Sequence, residues 1–125
     1  MNLNFFKKHI VGLMTSIVVA LVVSVSVVAI SLKDSFSSGT SIDCVEANWI
    51  NSYYTKTCWA QTRGYSGWHY VRAMIGPAHK AWADSNRQWS SGDVNASCTT
   101  RRVIASGPLA ASLIFPTGYG FYGTE

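Results

Sequence analysis

Residues 68–98 read WHYVRAMIGPAHKAWADSNRQWSSGDVNASC, and the alternation within them decides the fold class. Side chains of an extended chain point alternately to its two faces. Trp68, Tyr70, Arg72 and Met74 therefore share one face, and His69, Val71, Ala73 and Ile75 the other. Gly76-Pro77-Ala78 interrupts the run, because proline donates no ladder hydrogen bond and glycine accepts turn dihedrals. A second run, His79 to Ala83, ends at Asp84-Ser85-Asn86, whose side chains can bond to the local backbone. Arg87 to Ser90 forms a third run that stops near Gly92. Asp93 to Thr99 alternates again, with Val94, Ala96 and Cys98 on one face. Short alternating runs with regularly spaced turn signals predict an all-β domain, a small antiparallel β-sandwich.

Working outward, Thr55 to Thr62 predicts the first strand, ended by Arg63-Gly64-Tyr65-Ser66-Gly67. Asp43 to Tyr54 fits either a short helical stripe (Val45, Trp49, Ile50, Tyr53) or irregular chain packed on a sheet. On the other side, Thr100 to Gly107 reads as a longer connection with a positive spot at Arg101-Arg102. Leu109 to Phe115, an uninterrupted apolar run after Pro108, predicts a buried strand. Pro116-Thr117-Gly118 turns the chain, and the alternating glycines and aromatics of residues 118–123 predict an edge strand whose rings cover the core. No period of a solenoid or propeller repeats.

The chain opens with an export element. Lys7, Lys8 and His9 precede Ile10 to Leu32, which carries no charge. A bilayer-spanning helix needs about 20 apolar residues, while the apolar region of a signal peptide is usually only about 7–15. Residues 1–32 are thus expected to be a signal peptide or an N-terminal transmembrane helix that acts as an anchor. Val27-Val28-Ala29 and Ala29-Ile30-Ser31 offer cleavage sites, and the domain lies outside in either case. The Ser/Gly-rich residues 33–43 are expected to form a flexible linker, and residues 44–125 the exported β-domain. From Lys33 onward eight Lys/Arg stand against six Asp/Glu, a net charge of +2. So mild a balance does not predict nucleic-acid binding, which calls for clustered basic residues.

Cys44, Cys58 and Cys98 all follow the leader, where disulfides persist. One bridge is expected, Cys58–Cys98 ahead of the pairings through Cys44, with the third thiol left over. These cysteines with His69 or His79 lack zinc-ligand spacing, so no metal or other cofactor is expected. No G-x-S-x-G surrounds a serine, and Asp84 and Asp93 sit at turn positions, so the chain is not expected to be an enzyme. The five tryptophans, at 49, 59, 68, 82 and 89, divide between the core and an aromatic binding face. Trp82 and Trp89 flank Asp84-Ser85-Asn86 and are the candidate binding residues, rimmed by Arg72, Lys80 and Arg87.

The exported region, roughly Tyr53 to Tyr122, resembles the lactococcin 972 type of bacteriocin, a small secreted β-sandwich. The layout carries the resemblance: an export leader, an aromatic lead-in, His69-Tyr70-Val71-Arg72-Ala73 opening a strand, then Asp84-Ser85-Asn86-Arg87. The alternating Val94-Asn95-Ala96-Ser97 and an aromatic C-terminal strand complete it. Three cysteines, the longer leader and the Pro116-Thr117-Gly118 turn depart from that pattern. The resemblance implies an unmodified antimicrobial protein acting at the cell envelope of neighbouring bacteria, and it implies no catalytic residues. The expected function is therefore that of a secreted, bacteriocin-like protein binding an envelope component. The alternative is a membrane-anchored surface module that does not kill.

Overall fold

The computed structural model describes residues 29–125. Most of the apolar leader, with the helix expected of it, lies outside the described residues. No helix among the described residues is long and apolar enough to cross a membrane. The chain forms α1 (Leu32–Ser35), β1 (Phe36–Ala47), β2 (Ser52–Thr62), β3 (His69–Ile75), β4 (Ala83–Asp84), β5 (Gln88–Ser90), β6 (Val94–Thr99), β7 (Val103–Ala105), α2 (Pro108–Ile114) and β8 (Gly118–Gly123). All strand pairings are antiparallel. The expected all-β class is what the described residues show.

In the first sheet β1 pairs along the whole of β2, from Phe36 opposite Thr62 to Ala47 opposite Ser52. The other edge of β2 is shared by β6 (Thr57–Thr62) and β7 (Ser52–Tyr54). The second sheet is centred on β3, with β8 along one edge and β4 and β5 along the other. Their registers differ by one residue, so β4 and β5 are two halves of one strand interrupted by a bulge. Asn86 takes a positive φ of 59° there. The Ser85 N–H donates to Ala73 O, and Ser85 Oγ accepts the Ala73 N–H, each at 2.9 Å. A side chain thus repairs the ladder that the bulge breaks. The expected turn at Asp84-Ser85-Asn86 is therefore a bulge, because the local side-chain bonds bend the strand without reversing it.

The two sheets pack through Cys58, Ala60, Val71, Ala73, Ile75, Ala96 and Cys98. These are the inward positions of the alternation in β2, β3 and β6. The second sheet covers only the Thr62 half of the first. Over the other half lies α2, which buries Ala111 and leads into Phe115 against Tyr54, with Ile42, Val103 and Ala105 around them.

Three expectations are corrected here. Leu109–Phe115 belongs to a helix and its end: proline at the first position presets the helical φ, and only every fourth side chain faces the core. Residues 33–43, expected to be a flexible linker, form α1 and most of β1. Alternate residues Phe36, Ser38, Thr40 and Ile42 share the register positions of inward Thr62, Ala60, Cys58 and Lys56. The same strand and its turn into β2 settle the ambiguous Asp43–Tyr54. In β8 the glycines turn inward: a Cβ at Gly118 would meet Thr40 and Cys58, and one at Gly120 would meet Ser38 and Phe36. Tyr119 and Phe121 consequently point outward, and only Tyr122 turns a ring inward, against Phe36 at 4.6 Å.

Candidate functional site

Strand β3 supplies both faces of the second sheet. Its inward residue His69 is fully buried, with Nδ1 2.6 Å from Gly67 O and Nε2 2.6 Å from Thr62 Oγ1. Gly67 O can only accept, so Nδ1 donates to it, and Nε2 shares a hydrogen bond with the Thr62 hydroxyl. That arrangement ties the start of β3 to the end of β2 and makes His69 a structural residue.

The outward residues of β3 meet outward residues of both neighbours. Tyr70 lies opposite Trp89 and Gly123, Arg72 opposite Phe121, and Met74 opposite Asp84 and Tyr119. Side chains opposite each other on one face stand within contact distance. Trp68 stacks on Trp89 at 5.7 Å and 16°, and Tyr70 leans on Trp89 at 5.0 Å. The Arg87 guanidinium sits 4.4 Å over the Tyr70 ring and also donates to Glu125 O at 3.0 Å. Tyr119 and Phe121 stand 6.2 Å apart at the β8 edge. Trp68 is 61% exposed, and Trp89, Tyr119 and Phe121 are exposed as well.

Arg72 and Asp84 occupy the middle of this face in a bidentate pair. Nε donates to Oδ1 at 2.8 Å, and Nη2 donates to Oδ2. Asp84 Oδ1 also accepts the Asn86 N–H at 2.8 Å, so the pair is fastened to the bulge. Hydrogen bonding from Arg72 holds the Asp84 carboxyl below its ordinary range, and Asp84 in turn raises Arg72. The result is a charged fork held rigid among aromatic rings. No fold requires its large aromatics in water, and such a patch is characteristic of an interaction surface.

The candidates divide. Trp89, Arg72 and Arg87 lie on this face. Trp82 does not share a hairpin with Trp89, because one bulged strand carries both toward opposite ends of β3. Trp82 meets Phe115 at 6.1 Å and lies under Arg101 at 5.2 Å, beside a cleft of about 300 Å³ lined also by Lys80 and Ala81. Trp68, Tyr70, Tyr119 and Phe121 join the expected residues on this face. The strict alternation of residues 68–74 already placed Trp68 and Tyr70 with Arg72, but only the β3–β8 register adds Tyr119 and Phe121.

In the structure Cys44, Cys58 and Cys98 are free thiols. Cys58 and Cys98 are direct cross-strand partners. The Cα separation of such a pair, about 4.5–5.5 Å, lies within the range that a disulfide spans. Burial pushes both thiols up, and for Cys98 the neighbouring Cys58 adds to it, which keeps them poor nucleophiles.

Compared with known protein families, with curated proteins and with solved structures, the chain matches none.

Proposed function

We propose that the chain is an exported, bacteriocin-like antibacterial protein that binds a component of the target cell's envelope through the outer face of β3, β5 and β8. One observation carries the reading: Trp68, Tyr70, Trp89, Tyr119 and Phe121 share that face with the Arg72–Asp84 pair and Arg87. Tryptophan, tyrosine and arginine are the residues that dominate binding hot spots. The face is a sheet surface rather than a cavity, which suits an extended partner better than a small molecule. With a net charge of only +2 on the exported part, affinity has to come from contact and not from long-range attraction.

A second reading, a surface module that stays anchored and does not kill, draws on the length of the uncharged run Ile10–Leu32. Both readings use the same face and differ in release. The test compares the natural product with its Trp68→Ala/Trp89→Ala variant for binding to isolated bacterial envelopes and for killing of sensitive cells. We expect a cleaved product in the medium, and a loss of binding and killing of tenfold or more in a variant that still unfolds cooperatively. Wild-type protein that neither binds envelopes nor kills would overturn the proposal. Binding without killing by a full-length, membrane-held chain would favour the anchored module.

A further inference from the structure

Two separate elements expose their largest apolar side chains at the pole made by the β1–β2 turn. Asn48 locks that turn: its Oδ1 accepts the N–H groups of Ile50 and Asn51 at 2.9 and 2.7 Å, and its own N–H donates to Asn51 O at 2.9 Å. The locked turn holds Trp49 96% and Ile50 73% exposed, beyond the last ladder pair of Ala47 and Ser52. Ala105 pairs with Ser52, and α2 starts three residues later, so the helix begins beside the turn. With Ala111 turned to the core, Leu109 and Leu113 lie one helical turn apart on the outer side, 78% and 82% exposed.

The charge pattern agrees. Ala47–Thr55 and Val103–Tyr119 contain no Asp, Glu, Lys or Arg. Two arginines stand just behind the pole, Arg101 and Arg102, the latter paired with Glu46 at 2.5 Å, while Lys56 lies inward with its Nζ donating to Pro116 O at 2.9 Å. An apolar, tryptophan-tipped end backed by arginine follows the order of a bilayer's own layers, acyl chains first and phosphates behind.

We propose that this pole is a membrane-contact surface, in which Trp49, Ile50, Leu109 and Leu113 enter the headgroup–acyl boundary of a lipid bilayer. The projections are convex. A second copy would need a patch complementary to them, whereas lipids yield around them. The position of the chain's other apolar segment adds a direction. Ile10–Leu32 joins the domain at α1, beside the Phe36–Thr62 pair at the opposite pole. Twelve residues of β1 separate the two poles, about 35 Å at strand rise. The exposed tip therefore lies at the end of the domain farthest from the point where that segment joins it. This inference does not depend on the ligand of the aromatic face.

The test uses the full chain held in phosphatidylcholine vesicles, mixed with acceptor vesicles of phosphatidylglycerol and phosphatidylethanolamine with brominated acyl chains. Bromine quenches only indoles that touch the acceptor lipid. We expect tryptophan fluorescence to fall as acceptor is added. Trp49→Phe should abolish most of the quenching while keeping vesicle docking. Trp49→Ser and Leu109→Ser/Leu113→Ser should each weaken docking by about tenfold, as expected for leaving one or two large apolar side chains in water. All variants lie in exposed positions and should unfold at the wild-type temperature. Unchanged fluorescence at saturating acceptor would overturn the proposal, as would quenching that survives Trp49→Phe. A dimer that forms without lipid and is lost in Leu109→Ser/Leu113→Ser would also overturn it, and would make the pole a contact between copies. Lipid contact by wild-type protein that kills no sensitive cells would count against the antibacterial reading alone.

Discussion

The close approach of β8 to β1 allows a quantitative test with one methyl group. A Cβ added at Gly120 would stand 2.8 Å from Ser38 Oγ and 2.9 Å from Phe36 Cζ, and closest of all to Ser38 Cβ. Ordinary contacts lie at 3.4–4 Å, so Gly120→Ala must push β8 away from the first sheet. Gly120 is also paired with Ala73 at the centre of β3, so that displacement strains the ladder as well. Overpacking of this kind costs about 1–3 kcal/mol, while the loss of glycine's freedom in the unfolded chain returns about 0.4–1 kcal/mol. A net loss of about 1.5 kcal/mol lowers Tm by about 6–12 °C in a domain of this size. Thermal unfolding followed by circular dichroism measures it, with Gly92→Ala as control, because a Cβ there would meet only Ser90 Oγ, at 3.9 Å. Ser38→Gly removes the two nearest atoms and should restore at least half of the loss in the double variant, after correction for the cost of Ser38→Gly alone. An unaltered Tm in Gly120→Ala, or no recovery in the double variant, would refute the inward placement of the β8 glycines.

Two further outcomes follow from the side chains described above. Arg72 lowers the pKa of Asp84 from its ordinary value of 3.8, so the stability this pair contributes is complete above that value and is lost as pH falls through the lower folded one. With both side chains partly exposed, the contribution is about 1 kcal/mol or less. Asp84→Asn should reduce stability at pH 7 and flatten its decline below pH 4 in urea titrations; an unchanged acid limb would contradict the assignment. For the cysteines, a thiol reagent without reductant should label Cys44 rapidly in the native protein and all three residues in denaturant. A single labelled thiol in denaturant would mean that Cys58 and Cys98 are bridged after all.

The sandwich was legible wherever one face of a strand is buried, because burial imposes a period of two. His69–Ile75 and Val94–Thr99 show this plainly. In Lys33–Asp43 composition misled: its serines and glycine are what an edge strand needs where β8 and the Trp59 ring come close, and they resemble a linker when read alone. Pro108–Ile114 is too short for period to separate strand from helix, and the proline at its start was the deciding signal. The candidate face was legible in part. Trp89, Arg72 and Arg87 carry obvious binding chemistry. Their union with Tyr119 and Phe121 depends on a pairing between residues about 50 positions apart, which no local pattern contains.

The alternation of β3 also bears on how such a surface can diversify. Val71, Ala73 and Ile75 are fully buried and fix the spacing between sheets, while Tyr70 and Arg72, one residue away in each case, project from the other side. Selection can therefore rewrite outward positions such as Tyr70, Trp89, Tyr119 and Phe121 without repacking the interior, whereas Met74, buried on the same side, and the Arg72–Asp84 pair change only together with their neighbours. The strand behaves as two nearly independent inheritances, one conserving the fold and the other free to follow whatever the protein binds.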